Sequence, residues 1–193
     1  MKRALTGGVA VAAVLIAALA ARADTDMEAR TNASRTVIKA FAGSLKAELK
    51  GAMKASGPIG AIEVCSEKAP AIAGRHSEEK GWGIGRTSLK YRNPNNAPDQ
   101  WELTVLQSFE ERKAAGEEPA KIDHAEFVDQ NGKRVFRYMK AIPTAEVCLN
   151  CHGGDNVKPE VEAKLAEFYP DDKARGFKVG DIRGAFTIVQ PAD

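Results

Sequence analysis

The chain has 193 residues, with 28 lysines and arginines and 26 aspartates and glutamates, so its formal net charge is +2. Three of the basic side chains and none of the acidic ones lie within residues 1–23, which leaves 25 basic and 26 acidic groups on the other 170 residues. This near balance excludes an electrostatic basis for binding nucleic acid or an anionic membrane surface. A length of 170 residues suits one domain with its own hydrophobic core.

The first 23 residues have the pattern of an export signal. Two basic residues precede an apolar run that ends at Ala20, and small residues at positions 21 and 23 are typical of a cleavage site. The pattern predicts a signal peptide over residues 1–23 and a single mature domain over residues 24–193. An uncleaved anchor is the alternative, because the apolar run is only slightly shorter than the roughly 20 residues that span a bilayer. The domain is therefore expected to be periplasmic or secreted, with no membrane attachment after cleavage.

A long amphipathic helix is predicted over residues 27–55. Apolar side chains recur there at every fourth position: Val37, Phe41, Leu45, Leu49 and Met53. Gly57-Pro58 ends this helix. A second helix is predicted over residues 59–74, with a bend or restart at Pro70, and Cys65 lies on its apolar face.

A short glycine-rich strand is predicted over residues 81–90 and is followed by a loop rich in Pro and Asn over residues 91–99. A third helix is predicted to begin at Pro98, because proline is favoured in the first turn of a helix, and to end at Gly116. Its apolar face carries Trp101, Val105 and Phe109.

Strand patterns replace the helical period after this helix. Residues 125–129 and 133–141 flank Asn131-Gly132, which is the signature of a type I′ hairpin. A short helix is predicted over residues 159–169, and a strand over residues 181–190. Helices followed by an antiparallel sheet with helical insertions indicate an α+β fold.

The most specific motif follows the hairpin: Cys148-Leu149-Asn150-Cys151-His152. Two cysteines separated by two residues and followed by histidine form the attachment signature of c-type haem, in which the thiols add to vinyl groups and the imidazole binds the iron. A thioredoxin-like pair would need a βαβ context and has no use for the histidine, and a structural zinc site would need four ligands. The motif predicts one covalently attached haem c, held by Cys148 and Cys151, with His152 as the proximal ligand.

The remaining cysteine, Cys65, is a candidate for the second axial position. A free thiol is at risk in an oxidising compartment, and ligation to iron would protect it. Burial as a small apolar residue is the alternative, and the other possible ligands by chemistry are His76, His124, Met53 and Met139. An axial thiolate stabilises ferric over ferrous iron, so ligation by Cys65 predicts a low reduction potential compared with His/Met cytochromes.

Basic residues near the predicted strand are candidates for binding the haem propionates. Arg86, Lys90 and Arg92 lie just before a polar turn, and a guanidinium can hold a carboxylate through two hydrogen bonds. A solvated basic strand edge is the alternative interpretation.

Several segments resemble a known family: Ala61–Ser66, Gly85–Lys90, Asn93–Glu102, Cys148–Gly153 and Gly180–Phe186. They are similar to secreted c-type haem proteins with a PAS-like fold, long catalogued as a domain of unknown function, which also occurs as the extracytoplasmic sensor part of bacterial signalling proteins. The resemblance covers about residues 35–190. It implies a five-stranded antiparallel sheet with the haem on one side and a helix alongside, and it implies that Cys65 is the second axial ligand.

The resulting hypothesis is an exported mono-haem protein that transfers single electrons or senses redox state, with another protein as its redox partner. The alternative is a sensor of redox state or of a small gas, in which Cys65 leaves the iron and a separate partner carries the signal. A peroxidase-like enzyme would need an open iron site and a nearby acid or base such as His76 or His124, so catalysis is the less favoured function. The amphipathic helix from Met27 would pack on its own domain or on a second copy in a homodimer.

Overall fold

The computed structural model describes the backbone of residues 8–192 and the side chains of residues 24–192. The predicted signal peptide lies outside the residues whose side chains are described, and its cleavage stays a prediction. Within the part of the chain with described side chains, no helix is both long enough and apolar enough to cross a membrane.

The described residues form an α+β structure, as predicted. The helices are α1 (Gly8–Glu63), α2 (Ala69–Lys80), α3 (Gln100–Ala114), α4 (Leu149–His152) and α5 (Pro159–Phe168). The strands are β1 (Gly83–Thr87), β2 (Asp123–Gln130), β3 (Lys133–Pro143) and β4 (Ile182–Pro191). Shorter turns are a π-helical turn (Val64–Lys68) and three 3₁₀ turns (Pro94–Asn96, Pro119–Lys121 and Glu146–Cys148).

Helix α1 includes the predicted helix over residues 27–55 and continues beyond it. The backbone leaves the helical region only at Gly57, where φ is 64° and ψ is −161°. Glycine adopts a positive φ without steric cost, and Pro58 then fits the first turn of the resumed helix. The predicted second helix is divided: Cys65 lies in the π-helical turn, and Pro70 lies in the first turn of α2.

The sheet is antiparallel throughout, with the strand order β1-β4-β3-β2. Asn131 and Gly132 both have positive φ, at 56° and 75°, which confirms the type I′ hairpin between β2 and β3. The five-stranded sheet implied by the family resemblance is not confirmed, because the sheet has four strands in the described chain. The segments between these strands form helices, 3₁₀ turns and irregular loops, so the described chain has no further strand that pairs with the edge strands β1 and β2.

Both faces of the sheet are covered. Alternate residues of β3 point to opposite faces, so Phe136 and Tyr138 pack with α1 and α2, while Met139 and Ala141 pack with α3. A third cluster joins the end of α1 to α5 and includes the following residues: Ile62, Val157, Val161, Leu165 and Tyr169. This third cluster lies beside the Cys148–His152 motif, because Cys151 packs against it.

Polar contacts fix α1 on its own sheet. The buried Gln190 side chain donates to the Ser34 hydroxyl at 2.8 Å, and Arg35 forms an ion pair with Asp123 at 2.8 Å. The apolar face of α1 around Phe41 is thus covered by the same chain. A homodimer stays a prediction.

Candidate functional site

A cavity of about 190 Å³ lies between the second half of α1, the facing ends of β1 and β4, and the Cys148–His152 motif. Cys65, Cys148, Cys151 and His152 all line it. The fold therefore brings together the residues predicted for haem attachment and axial ligation, although Cys65 is distant in sequence from the other three. No disulfide bond joins any of the three cysteines. In the described part of the chain, no cluster of three or more His, Cys, Asp or Glu side chains is arranged to hold a bare metal ion.

Short elements place the motif at the end of β3. The chain leaves β3, passes through the 3₁₀ turn that ends at Cys148, and enters the single-turn helix α4. Residues three apart on a helix lie on the same side, so Cys148 and Cys151 can face one ligand together. The chain leaves α4 at Gly153, where a Cβ atom would lie only 2.7 Å from the carbonyl oxygen of Leu149. Only glycine is accommodated there without a shift of the backbone.

His152 is held in one tautomer. Its Nδ1 lies 2.9 Å from the carbonyl oxygen of Ala174. A carbonyl can only accept, so Nδ1 carries the proton and Nε2 keeps its lone pair. Burial, followed by the charges of Arg183 and Arg92, holds the pKa of His152 well below its usual value, despite the hydrogen bond to Ala174. The ring is consequently a neutral imidazole, which is the form that binds metals.

Cys65 lies in the π-helical turn, a local irregularity that often occurs at functional sites. Burial raises the pKa of its thiol, and the charges of Arg86, Arg92 and Arg183 partly offset that rise. A metal cation in the cavity would favour the thiolate further.

The other proposed axial ligands are separated by the fold. Met53 lines the same cavity as Cys65. His76 instead lies 3.5 Å from the Ser44 hydroxyl, and His124 lies beside the ring of Trp101. Met139 is fully buried in the core against α3. The cavity thus retains two candidates for the second axial position, Cys65 and Met53, and neither of these histidines lines it as an acid or base.

Two cationic side chains lining the cavity lack an anionic partner within residues 24–192. No hydrogen bond or ion pair is formed there by the guanidinium of Arg86, and burial lowers its pKa. Arg183 donates from Nη1 to the Ser88 hydroxyl at 3.2 Å and to the Lys90 carbonyl at 3.3 Å, but its buried Nε has no partner. Burial and then the charges of Arg92 and Arg86 lower the pKa of Arg183 to about 10. A ligand with carboxylate groups would relieve this unbalanced charge.

The two remaining basic candidates have other partners. Lys90 does not line the cavity: its ammonium group donates to the carbonyl of Arg175 and lies 4.6 Å from the centre of the Phe177 ring. Arg92 lines the cavity, but its guanidinium is bound to Asp172 and to two backbone carbonyls. Sequence reasoning missed Arg183 as a candidate, although it belongs to one of the segments that carry the family resemblance.

No curated protein matches the chain. Among solved structures, the crystal structure of the cyanobacterial heme-protein Tll0287 is similar, with a TM-score of 0.66. The match covers 85% of this chain and 96% of that chain at 24% sequence identity, so the likeness shows a shared fold. The family model described as Tll0287-like matches residues 12–191, nearly the whole sequence. The chain therefore belongs to the Tll0287-like family.

Proposed function

We propose that this protein is a mono-haem protein of the c type that transfers single electrons outside the cytoplasm. The observation that carries the proposal is the convergence of Cys148, Cys151, His152 and Cys65 on one cavity that also contains the unpaired cations of Arg86 and Arg183. The structural neighbour Tll0287 is a heme-protein, which supports the same cofactor. When bound, haem would supply a one-electron ferric/ferrous couple.

Each group of residues suits one part of a haem. Cys148 and Cys151 would hold the porphyrin through thioether bonds, and His152 would bind the iron through Nε2, since its Nδ1 is engaged with Ala174. Arg86 and Arg183 would pair with the propionates, which explains why these cations lack a carboxylate partner among the described side chains.

The size of the cavity has a consequence for assembly. Its volume of about 190 Å³ is below the roughly 300–1,000 Å³ of typical small-molecule sites. The apolar side chains of Leu49 and Met53, which line it from α1, would therefore move outward as the porphyrin is accommodated. Methionine is well suited to such repacking because it is unbranched and flexible.

Cys65 would occupy the second axial position as a thiolate. A second protein ligand leaves no open coordination site, which favours electron transfer over peroxidase-like catalysis. The anionic sulfur would also give a low reduction potential compared with His/Met ligation. A separate redox protein would be the partner.

The covalent link is tested by mass spectrometry of protein exported from a host with c-type haem maturation machinery. We expect the mass of the mature chain plus one haem. Cys148→Ser and Cys151→Ser are each expected to lose one attachment bond, and the double variant should carry no covalent haem. Cys65→Ser is the matched control and should keep the adduct. Recovery of only the bare polypeptide mass would refute the proposal.

Axial ligation is tested by absorption and EPR spectra of the same samples. We expect a low-spin ferric signal with thiolate character that is lost in Cys65→Ser and retained in Met53→Leu. The converse result would assign the position to Met53.

One observation favours a second function, haem-based sensing of redox state or of a small gas. Cys65 lies in the π-helical turn that joins α1 to α2, so its departure from the iron would act directly on the connection between two helices. Carbon monoxide added to the reduced protein distinguishes the two functions. A sensor should bind it about as readily as Cys65→Ser does, whereas a carrier with a firmly held ligand should bind it far more slowly.

A further inference from the structure

We propose that Arg92 and Asp172 form a positioning pair that fixes the tautomer and orientation of His152 before any cofactor is bound. The purpose of this pair, presenting Nε2 to an iron, rests on the proposed function. The contacts that define it are properties of the polypeptide alone.

The side chains of Arg92 and Asp172 are both buried. Arg92 is 8% exposed, the Asp172 side chain is 6% exposed, and their charged atoms lie 3.0 Å apart. Nη2 of Arg92 also donates to the carbonyl oxygen of Cys151 at 2.5 Å and to that of Ala174 at 3.3 Å. One guanidinium thus joins the attachment helix α4 to the loop after α5.

Asp172 fixes the same loop from the other side. Its Oδ1 accepts a hydrogen bond from the backbone N–H of Ala174 at 2.9 Å. Ala174 is therefore held at its N–H by Asp172 and at its carbonyl by Arg92, and that carbonyl is the acceptor for His152 Nδ1. The contacts close a ring through Arg92, Cys151, His152, Ala174 and Asp172.

This closed set of contacts explains why an arginine and an aspartate suit this position. Burying two charges is costly unless their hydrogen-bonding capacity is used, and here the pair binds three backbone groups besides each other. A guanidinium donates in several fixed directions at once, which the single ammonium of lysine cannot do. In metal sites, the acceptor for the second ring nitrogen sets the orientation and basicity of a histidine ligand.

Arg92 also sets the strength of the His152 hydrogen bond. It donates to the same Ala174 carbonyl as His152 does, so it helps to hold that oxygen in place for the imidazole N–H. Loss of Arg92 would release the carbonyl, weaken the hydrogen bond from His152 and make the imidazole a weaker electron donor.

The first test uses the full chain expressed without haem maturation and labelled with ¹⁵N-histidine, studied by NMR at pH 8. The protein has three histidines, so His76 and His124 serve as internal references for folding. We expect wild-type His152 to be a single Nδ1-protonated tautomer. Arg92→Met and Arg92→Lys are expected to give averaged tautomers, with exchange of the Nδ1 proton at least about tenfold faster, as for the loss of one or two hydrogen bonds.

Arg175→Met is the matched control. Arg175 Nε donates to the same Asp172 carboxylate at 2.7 Å, but its side chain makes no hydrogen bond to Ala174. We expect wild-type behaviour of His152 in this variant. Asp172→Asn, which keeps the shape but removes the charge, provides a second test if Arg92→Met fails to fold, and it should also release the tautomer.

The second test uses the haem-loaded protein. Arg92→Lys preserves the charge, so a higher midpoint potential in this variant than in wild type would report the weakened hydrogen bond and not the loss of a cation, which would lower the potential. An unchanged tautomer and exchange rate in the Arg92 variants would overturn the proposal, as would an equally large effect of Arg175→Met. If haem never attaches but the tautomer depends on Arg92, the positioning role stands and the proposed function fails.

Discussion

Ser88 and Arg183 contact each other twice at the edge of the cavity. The Ser88 hydroxyl donates to the carbonyl oxygen of Arg183 at 2.8 Å, and Arg183 Nη1 donates back to the same hydroxyl at 3.2 Å. These contacts join the residue after β1 to the beginning of β4 and hold a buried guanidinium against the site. The effect of the Arg183 charge and the effect of the backbone packing beside it can be tested separately.

The charge of Arg183 should raise the reduction potential of the bound cofactor. We expect Arg183→Met to lower it, because removing a buried cation stabilises the more positive ferric state. A unit charge about 10 Å away at an effective dielectric of about 20 contributes roughly 1.7 kcal/mol, or about 70 mV for one electron. Redox titration measures the shift. Arg112→Met, which removes a cation paired with Glu117 outside the site, is the control and should change the potential far less.

The close approach of the β1 and β4 backbones beside Arg183 depends on Gly184. Its φ is 153°, and a Cβ atom would lie 2.4 Å from the carbonyl oxygen of Thr87 and 2.9 Å from Cβ of Ser88. We expect Gly184→Ala to reduce the free energy of unfolding by at least about 2 kcal/mol, because the backbone of β1 or β4 would have to move to make room for the methyl group. Chemical denaturation measures this change. Gly85→Ala is the matched control on β1, since its Cβ would meet only a Thr187 methyl group at 3.6 Å. Equal stability of the two variants would contradict the steric argument.

The buried Arg137 should be important for stability and not for cofactor chemistry. It donates to Asp99 at 2.7 Å and to Glu102 at 3.2 Å, and Glu102 is only 8% exposed. We expect Arg137→Met to destabilise the protein by about 3–5 kcal/mol, because it leaves the Glu102 carboxylate buried without its cation.

Urea denaturation measures the effect of Arg137→Met, and the double variant with Glu102→Gln should recover part of the loss. Arg134→Met, on the same strand but exposed, is the control and should cost about 1 kcal/mol or less. A full loss in the double variant would show that the effect does not come from an unpaired charge.

Asp123 should make stability depend on pH in the acid range. Burial alone would raise its pKa, but hydrogen bonds from Tyr138 at 2.6 Å and Arg35 at 2.8 Å outweigh burial and lower it. A lowered pKa in the folded state means that the stabilisation is fully present above the unfolded value of about 3.9 and is lost as the pH falls below it.

The test is urea denaturation between pH 7 and pH 3. We expect Asp123→Asn to be less stable than wild type by about 1–3 kcal/mol at pH 7, with the difference declining below about pH 4. Asp171→Asn, at an exposed position, is the control and should parallel wild type. A stability gap for Asp123→Asn that does not depend on pH would exclude the carboxylate as its cause.

Local patterns predicted most of the elements. The four-residue period of α1 and the Asn131-Gly132 turn depend on neighbours in sequence, and both occur where they were expected. The π-helical turn at Cys65 was missed, because its residues have ordinary helical character and the irregularity arises where α1 meets α2. The number of strands followed the local patterns and not the five strands implied by the family resemblance.

Side-chain roles at the site were less predictable. Arg86, Lys90 and Arg92 looked equivalent in sequence, yet Lys90 contacts the Phe177 ring, Arg92 binds Asp172, and only Arg86 is left without a partner among the described side chains. Their partners lie about 80 or more residues away in the chain. No local pattern encodes which of three nearby cations meets which distant acceptor.

The sequence by itself determined which reactive groups are available. Two thiols and an imidazole lie within five residues, and this short covalent spacing alone allows them to reach a single porphyrin. Only the tertiary structure decided what surrounds them. Packing of α1, the strand ends and the loop after α5 placed Cys65 and Arg183 at the same cavity. The same packing formed the hydrogen bond between His152 and Ala174. Such contacts depend on how distant segments exclude water together, and that is a property of the folded chain as a whole.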